Sequence, residues 1–315
     1  MMRTAISAAA ALLIVTGAAS AQNYPSRSIE MIIPFSAGGG VDLIGRAVSA
    51  SLAEQFGQSV VVQNKVGAGG TIGFGALAAA APDGYTLGFG PSTPIANAPY
   101  LVEGVRYNPE SFDYICQVFE NPFSIAVGPN SPYKTAQDLL AAAKDKSLNF
   151  GHAGLGSIPH LSVENFADAM KIKVQHLPFR GDAAMLPVLM KGDLDFGAPA
   201  LSSIRGNDQI RPLVVFTEKR VPAYPDVPTA RELGVKTSVP PGQNGLYAPK
   251  GLPAEVRAAL DKACVAAVKS EGVLKVVGNT GSSVAYLDGK QFHDQTVADY
   301  KFKGELIKRL GLGKN

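Results

Sequence analysis

The chain has 315 residues with 29 Lys and Arg against 26 Asp and Glu, a formal charge of +3. This near balance, with no cluster of basic residues, argues against a nucleic-acid partner. The length exceeds the roughly 100–200 residues that one hydrophobic core usually holds, so we expect two lobes.

Residues 1–21 have the pattern of a secretory signal peptide. Arg3 supplies the basic start, residues 8–15 form the apolar segment, and small residues at 19–21 precede Gln22 as a cleavage site. The apolar segment is too short to cross a bilayer of about 30 Å. We therefore predict an exported, periplasmic protein that is soluble after removal of this segment, with a net charge of +2.

Two glycine-rich turns, residues 34–42 and 64–73, each follow a short β-branched run and precede a stretch with helical spacing. Glycine lets backbone N–H groups approach a ligand closely, and a helix N-terminus attracts anions. The two turns together predict an anion cradle. Its candidate ligand-binding residues are Phe35, Ser36, Ala37, Gly39, Gly40, Asp42, Gly69, Gly70 and Thr71.

Asp42 has two interpretations in this cradle. As a carboxylate in the first turn of a helix, it stabilises its own turn, and this is the interpretation we favour. The alternative is a direct contact with an amino or hydroxyl group of the ligand.

The chain continues as strand, turn and helix. A third strand at 85–90 leads to Thr93, residues 112–127 suit a crossing between lobes, and a third glycine turn at 149–157 precedes a helix at 158–170. A strand at 174–177 ends near Arg180, and residues 213–216 suit the return crossing. This alternation is typical of an α/β protein, where ligands gather beyond the carboxyl ends of strands. The further pocket candidates are Thr93, His152, Gly154, Gly156, Ser157, Phe179, Arg180 and Asp195.

Arg180 is the one cation that the pattern places at the edge of the cleft. A bidentate contact with a second carboxylate and a solvated or lobe-bridging arginine are equally compatible with the sequence. Ser157 is a candidate for the distal end of a two-ended ligand.

Cys116 and Cys264 are the only cysteines. In an oxidising compartment they form either one long-range disulfide or two buried thiols, and the sequence leaves both open. His160 and Glu164 lie four residues apart on a predicted helix, for which we expect a structural role, and no metal is expected. Neither glycine turn has the third glycine of a dinucleotide fingerprint or the Gly-Lys-Ser/Thr of a P-loop, so no cofactor is expected.

Five motifs in order resemble one known family. Pro-Phe-x-Ala-Gly-Gly-x-x-Asp, Asn-x-x-Gly-Ala-Gly-Gly-x-Ile-Gly, Pro-Asp-Gly-Tyr-Thr-Leu, Gly-x-Gly-Ser-x-x-His-Leu and Val-Pro-Thr-x-x-Glu-Leu-Gly stand at residues 34–42, 64–73, 82–87, 154–161 and 227–234. This order is similar to that of the extracytoplasmic solute receptors of tripartite tricarboxylate transporters, the Bordetella-uptake-gene type. The resemblance covers nearly the whole mature chain.

The resemblance implies a two-lobed, type II-like periplasmic binding protein in which each lobe is a mixed sheet flanked by helices. The expected lobes are 22–122 with 218–315, and 123–217, with the ligand cleft between them. The implied ligand is a small carboxylate, either a dicarboxylate, a tricarboxylate or an aromatic acid, held largely by backbone N–H groups. The implied partner is a two-subunit membrane permease, and a monomer is expected.

Two departures from the family pattern and two other functions stay open. His152 stands where relatives more often have Ser or Thr, and we expect a partly exposed structural side chain rather than a ligand contact. Pro187 lies inside a predicted helix. The alternatives to a transport receptor are an exported enzyme acting on a small carboxylate and a ligand-sensing partner of a membrane sensor kinase.

Overall fold

The computed structural model describes residues 24–314 except 237, 238, 240 and 241. The signal-peptide prediction therefore lies outside the described residues. Among the described helices, none is long and apolar enough to cross a membrane.

The described residues form two separate sheets with helices packed on them. The strands are β1 (Ile29–Ile33), β2 (Val60–Asn64), β3 (Thr86–Pro91), β4 (Phe112–Asn121), β5 (Ser124–Val127), β6 (Leu148–His152), β7 (Val174–Pro178), β8 (Phe196–Gly197), β9 (Arg211–Val215), β10 (Gly242–Pro249) and β11 (Ser283–Asp288). The helices are α1 (Gly40–Phe56), α2 (Thr71–Ala78), α3 (Thr93–Leu101), α4 (Ala136–Asp145), α5 (Ile158–Met170), α6 (Asp182–Lys191), α7 (Leu201–Ile204), α8 (Ala254–Lys269), α9 (Glu271–Asn279) and α10 (Gly289–Arg309).

The first sheet has the order β11-β4-β10-β3-β1-β2. β1 pairs in parallel with β2 and β3, whereas β10 is antiparallel to β3 and β4, so the sheet is mixed. β1 is almost wholly buried because helices cover both faces of its part of the sheet, and this explains its continuous apolar sequence. The parallel strands β1, β2 and β3 each lead into a helix at the same sheet edge, which is where the two predicted glycine turns lie.

The second sheet has the order β7-β6-β8-β5-β9 and is also mixed. β6 is parallel to β7 and β8, and β5 is antiparallel to β8 and β9. The chain passes from the first sheet to the second between Asn121 and Ser124, where β4 ends and β5 begins. The protein is thus a two-lobed α/β structure, as the sequence analysis predicted.

Residues 218–235 differ from the expected division of the chain. We assigned them to the first lobe, but Ala230 and Val235 lie in the core of the second lobe. The Ala230 N–H donates to the Val215 carbonyl at 2.9 Å, which attaches this segment to the end of β9. The return crossing therefore comes after Val235.

Cys116 in β4 and Cys264 in α8 form a disulfide, with their Cα atoms 6.5 Å apart. Of the two alternatives that the sequence left open, the structure has the disulfide. Both residues are buried in the main core of the first lobe, where α8 packs against the sheet. The bridge joins positions 148 residues apart in the chain.

The C-terminal helix α10 packs on the first lobe and reaches the second at its end. The Arg309 guanidinium donates to the Asn165 side chain at 2.9 Å and lies 3.6 Å from the Asp168 carboxylate, both on α5. Within α10, Lys303 forms an ion pair with Asp299, and both side chains are buried.

Candidate functional site

The first glycine turn connects β1 to α1 and is open to solvent. Ser36, Ala37 and Gly39 are exposed, and Gly40 and Phe35 are half-buried. The first i→i−4 hydrogen bond of α1 runs from the Leu43 N–H to the Gly39 carbonyl. The N–H groups of the first helical residues therefore have no acceptor within the helix, and they form the positive end of its dipole.

Asp42 lies in the first turn of α1 and holds the glycine turn in place. Its side chain is only 1% exposed. One carboxylate oxygen accepts the Gly38 N–H and the Arg46 guanidinium, each at 2.9 Å, and the other accepts the Asn64 amide at 2.8 Å. Burial alone would raise the pKa of Asp42, but the hydrogen bonds from Arg46, Asn64 and Gly38 outweigh it and lower this pKa. The carboxylate is thus fully engaged by groups of the protein, in line with the interpretation that Asp42 stabilises its own turn.

Asn64, at the end of β2, joins the first turn to the second. Its side-chain amide donates to the Phe35 carbonyl at 2.8 Å as well as to Asp42. Asn64 stands in one of the five sequence motifs, but no role was predicted for it. The sequence did contain a signal for this role, because Asn64 is an amide side chain at the carboxyl end of a strand and lies next to a glycine turn.

The second turn packs directly on the first. A Cβ on Gly73 would lie 2.7 Å from the Pro34 Cβ, and a Cβ on Gly70 would lie 2.9 Å from the Pro94 Cγ. Gly70 also has a φ of 99°, which residues with a side chain rarely adopt. These two glycines let the turns after β1, β2 and β3 come together at one sheet edge.

The structure corrects two of the predicted donors in the second turn. The Gly70 N–H donates to the Gly67 carbonyl at 3.0 Å, and the Thr71 N–H donates to the Ala68 carbonyl. These two N–H groups close the short 3-10 turn Ala68–Gly70 and are not directed at a ligand. Gly69 is exposed beside them.

Thr93 begins α3, beside Pro94, which contacts the second turn. Its side chain is 8% exposed, and its hydroxyl oxygen has no hydrogen-bond partner among the described residues. A buried hydroxyl without a partner is costly, so such a group is a candidate for a ligand or water contact.

The glycine turn of the second lobe is satisfied internally, which corrects its predicted role. The Ser157 N–H donates to the Gly154 carbonyl at 3.1 Å, and the Gly156 N–H donates to the His160 Nδ1 at 3.0 Å. The Ser157 hydroxyl accepts the His160 N–H and caps α5. Because these donors already have acceptors in their own lobe, the turn offers less to the distal end of a ligand than we expected.

This turn nevertheless faces the first lobe. The Asn97 amide of α3 donates to the Gly156 carbonyl, and a Cβ on Gly156 would overlap the Leu101 side chain. A second bridge links the Arg205 guanidinium, after α7, to the Gly278 carbonyl of α9. The two lobes are therefore in contact at more than one place in this structure.

Phe179 and Arg180 follow β7. The Phe179 N–H donates to the His152 carbonyl at 2.9 Å, which extends the pairing of β6 with β7, and Phe179 is half-buried. Arg180 is exposed and forms no ion pair or hydrogen bond within the part of the chain that the structure describes. Both residues lie at the carboxyl end of the strands, the same end as the Gly154 turn.

Asp195 lies at the opposite end of the second sheet, so it does not join the site. Its carboxylate accepts the Asn149 N–H at 2.9 Å and the Tyr133 hydroxyl at 3.2 Å. Asn149 is near the start of β6, about 10 Å from the carboxyl end of that strand at roughly 3.3 Å per residue. Asp195 precedes β8, which is parallel to β6, and this direction explains its position at the amino end.

His152 is fully buried, not partly exposed as expected, and it belongs to a cluster of three histidines. His152 ends β6, His160 lies in the first turn of α5, and His176 lies in β7. Burial lowers the pKa of His152 to about 4 and that of His160 to about 3, so both are neutral at pH 7. The cluster is not visible in the sequence because its members come from three elements.

The fold and the adjoining strand-end turns define a two-lobed solute-binding protein. The chain belongs to the tripartite tricarboxylate transporter receptor family, whose sequence model matches residues 44–312. The resemblance seen in the sequence is therefore confirmed.

Two curated relatives support this assignment. The protein BugT of Bordetella pertussis is 31% identical over 84% of this chain and 83% of its own length. A UPF0065 protein from Cupriavidus necator is 30% identical over 98% of this chain and 95% of its own length.

Solved structures support the same fold. The periplasmic binding protein BugD has a TM-score of 0.83 at 28% identity and covers 93% of this chain and 100% of its own. A Rhodopseudomonas palustris protein solved with adipate has a TM-score of 0.84 at 26% identity, covering 92% and 99%. MatC of Rhodopseudomonas palustris, with bound malate, has a TM-score of 0.79 at 26% identity, covering 90% and 100%.

Proposed function

We propose that this receptor captures a small carboxylate by closure of its two lobes and presents it to a two-subunit membrane permease. The observation that carries the proposal is the exposed turn of residues 36–39, which lies at the start of α1 and adjoins the second glycine turn. The Gly38 and Gly39 N–H groups are already bonded, to Asp42 and to the Ser36 carbonyl. A carboxylate is attracted there by the N–H groups of the first helical residues, which have no acceptor within the helix, and by the positive end of the helix dipole.

The electrostatics of the turn favour a ligand anion over a side chain of the protein. Asp42, the acidic residue in the first turn of α1, is buried below the turn and neutralised by Arg46. The exposed rim of the turn consists of Ser36, Ala37 and Gly39, which carry no charge. Thr93 adds a hydroxyl without a partner next to the second turn, among the described residues.

The proposed solute class is a dicarboxylate or a carboxylate with a second polar end. Arg180 is exposed at the carboxyl end of the second sheet with no anionic partner among the described residues, so it is available for a second carboxylate. The relatives solved with adipate and malate support the class, since both ligands are dicarboxylates. Tricarboxylates and aromatic carboxylates are the alternative solute classes, and the thermal-unfolding panel described below includes them.

We propose a binding protein rather than an enzyme. A general base needs a free carboxylate or imidazole near the substrate. Asp42 accepts three hydrogen bonds and has a lowered pKa, and His152 is buried beneath its own turn. The family and its solved structures are binding proteins, which supports the same conclusion.

Thermal unfolding of ligand-stripped protein tests the proposal against a panel of mono-, di- and tricarboxylic, amino and aromatic acids. A true ligand at about 100 times its dissociation constant adds about 2.7 kcal/mol of stability. We expect a rise in Tm with one carboxylate class and no chemical change of that compound after incubation. No shift with any acid would refute carboxylate capture, and turnover would favour the enzyme.

We also propose that residues 1–21 direct export to the periplasm and that the mature receptor is a monomer. Mass spectrometry of protein from a periplasmic extract should find a chain beginning at Gln22. Light scattering should give the mass of one chain with and without ligand.

A further inference from the structure

We propose that His152, His160 and His176, with Glu164, form a binding site for a divalent transition metal, of which zinc is the best match. The site lies inside the second lobe, under the Gly154–Ser157 turn. It is separate from the anion cradle, so its test does not depend on the proposed carboxylate function.

The three imidazoles converge from three elements. One nitrogen from each lies within 4.8 Å of the others, and the ring centroids are 4.3 to 5.3 Å apart. The His152 Nε2 and the His176 Nδ1 are separated by 3.3 Å. Two nitrogens bound tetrahedrally to zinc at about 2.0–2.1 Å lie about 3.3 Å apart, so this pair already has the spacing of two ligands.

The surroundings of His152 suit a metal ligand. Its Nδ1 lies 2.8 Å from the Gly154 carbonyl oxygen and 3.2 Å from the Gly154 nitrogen, so it either donates to the carbonyl or accepts the N–H, and metal binding through Nε2 selects the first arrangement. Metal-bound histidines usually donate their other ring N–H to a carbonyl or carboxylate, and this bond fixes the tautomer. With the proton on Nδ1, the Nε2 of His152 presents a lone pair toward His176.

His160 and Glu164 supply the third and fourth groups. The His160 Nε2 is fully buried and has no hydrogen-bond partner among the described residues. The Glu164 carboxylate lies 3.8 Å from it, and the side chain of Glu164 is 20% exposed. A cation between these groups would satisfy the buried nitrogen, and the partial exposure of Glu164 and His176 provides a route from solvent.

Metal binding has a structural requirement at His160. The Gly156 N–H now donates to His160 Nδ1 at 3.0 Å, and the His160 ring is stacked on that of His152 at 20°. If Nε2 binds a cation, Nδ1 must carry the proton, because a neutral imidazole has only one N–H. The His160 ring must therefore turn and release the Gly156 N–H when the metal enters.

Imidazole and carboxylate ligands favour zinc, cobalt, nickel and copper over calcium or magnesium. Zinc is expected to take a four-coordinate site of this composition. Cobalt is the useful probe, because tetrahedral Co²⁺ absorbs visible light strongly and its spectrum reports the geometry.

The experiment is calorimetric titration of the chelator-treated mature protein with Zn²⁺ alone, followed by visible spectra with Co²⁺. We expect one ion per chain and a tetrahedral cobalt spectrum. His176→Ala, at a half-buried position of the edge strand β7, should weaken zinc binding by at least about tenfold while circular dichroism stays unchanged.

His293→Ala is the matched control, since His293 is the one histidine outside the cluster and lies on α10. It should bind zinc like the parent protein. Absence of saturable binding, or binding unaffected by His176→Ala, would overturn the proposal. Unchanged affinity in Glu164→Gln would overturn the assignment of the carboxylate as fourth ligand.

Discussion

The side-chain amide of Asn97, in α3 of the first lobe, donates a hydrogen bond to the carbonyl of Gly156 in the second lobe. Asn97 is 2% exposed, so this bond is shielded from water. It connects the helix that follows β3 with the turn that follows β6, and a bond across two lobes contributes only when the lobes are together.

We expect Asn97→Ala to favour the open arrangement. Loss of a buried hydrogen bond costs about 0.5–1.5 kcal/mol, which corresponds to a roughly two- to tenfold weaker carboxylate affinity. X-ray scattering should show a larger radius of gyration without ligand. Asn130→Ala, at an exposed position of the second lobe, is the control and should leave both quantities unchanged. A variant Asn97→Ala that binds like the parent would show that this bond does not bias closure.

Gly39→Val should abolish carboxylate binding with little loss of stability. A Cβ on Gly39 would meet only the Ser36 carbonyl, at 3.5 Å, and the φ of −75° is open to any residue, so the valine fits the fold but covers the turn. The measurement is the ligand-induced shift in Tm. Gly272→Val, an equal change at an open position of α9, should keep the shift. If Gly39→Val binds the carboxylate as well as the parent protein does, the first glycine turn is not part of the binding site.

Asp42→Asn should make unfolding less dependent on acid. The pKa of Asp42 is lower in the folded protein than its usual value, so its contribution to stability is present above the usual pKa of about 4. That contribution is lost as the pH falls through the lower, folded pKa. We expect the substitution to reduce stability by about 1–3 kcal/mol at pH 7 and to flatten the decline between about pH 5 and 2.

Denaturant unfolding at each pH measures this effect. Asp261→Asn is the control, because Asp261 is a partly exposed partner of Arg257 on α8. Asp261→Asn should leave the decline of the free energy of unfolding at acid pH unchanged. If the stability of Asp42→Asn declines at acid pH as steeply as that of the parent protein, the role given to Asp42 is wrong.

Loss of the disulfide should destabilise the first lobe. A bridge across 148 residues restricts the unfolded chain strongly, and chain-entropy arguments put its effect at about 3–5 kcal/mol. We expect the double variant Cys116→Ala/Cys264→Ala to unfold at lower denaturant concentration. The parent protein, unfolded without reductant, should show no free thiol, and two reactive thiols would contradict the bridge.

Ser157→Ala should affect stability more than affinity. Its hydroxyl caps α5 by accepting the His160 N–H, and loss of such a cap costs about 1 kcal/mol. The Tm should fall while the dissociation constant for a carboxylate changes less than about twofold. A large loss of affinity at unchanged Tm would instead give Ser157 the ligand contact that the sequence suggested.

Local patterns were enough to predict the strand-end turns and the α/β class. The run Ile-Glu-Met-Ile-Ile, with three glycines a few residues later, specifies a buried strand and a turn without reference to distant residues. The role of Asp42 was also predictable, because an acidic residue in a first helical turn bonds nearby N–H groups.

Other features depend on contacts that spacing does not show. Asp195 was misplaced because the direction of β8, a strand of two residues, is set by its pairing with β6. The donors of Gly70 and Gly156 were assigned to a ligand because their acceptors, the Gly67 carbonyl and His160 Nδ1, are visible only in the folded turn. The boundary near residue 217 was misplaced because Ala230 pairs back to Val215.

The exposed turn after β1 has a consequence for how such receptors diversify. Peptide N–H groups are the same whichever side chains the turn carries, so point substitutions leave these donors in place. Positions such as Thr93 and Arg180, whose side chains are proposed to contact the solute, can change one at a time. If the proposed site is right, new solutes are acquired by exchange of a few surrounding side chains, while the main-chain donors of this turn stay unaltered.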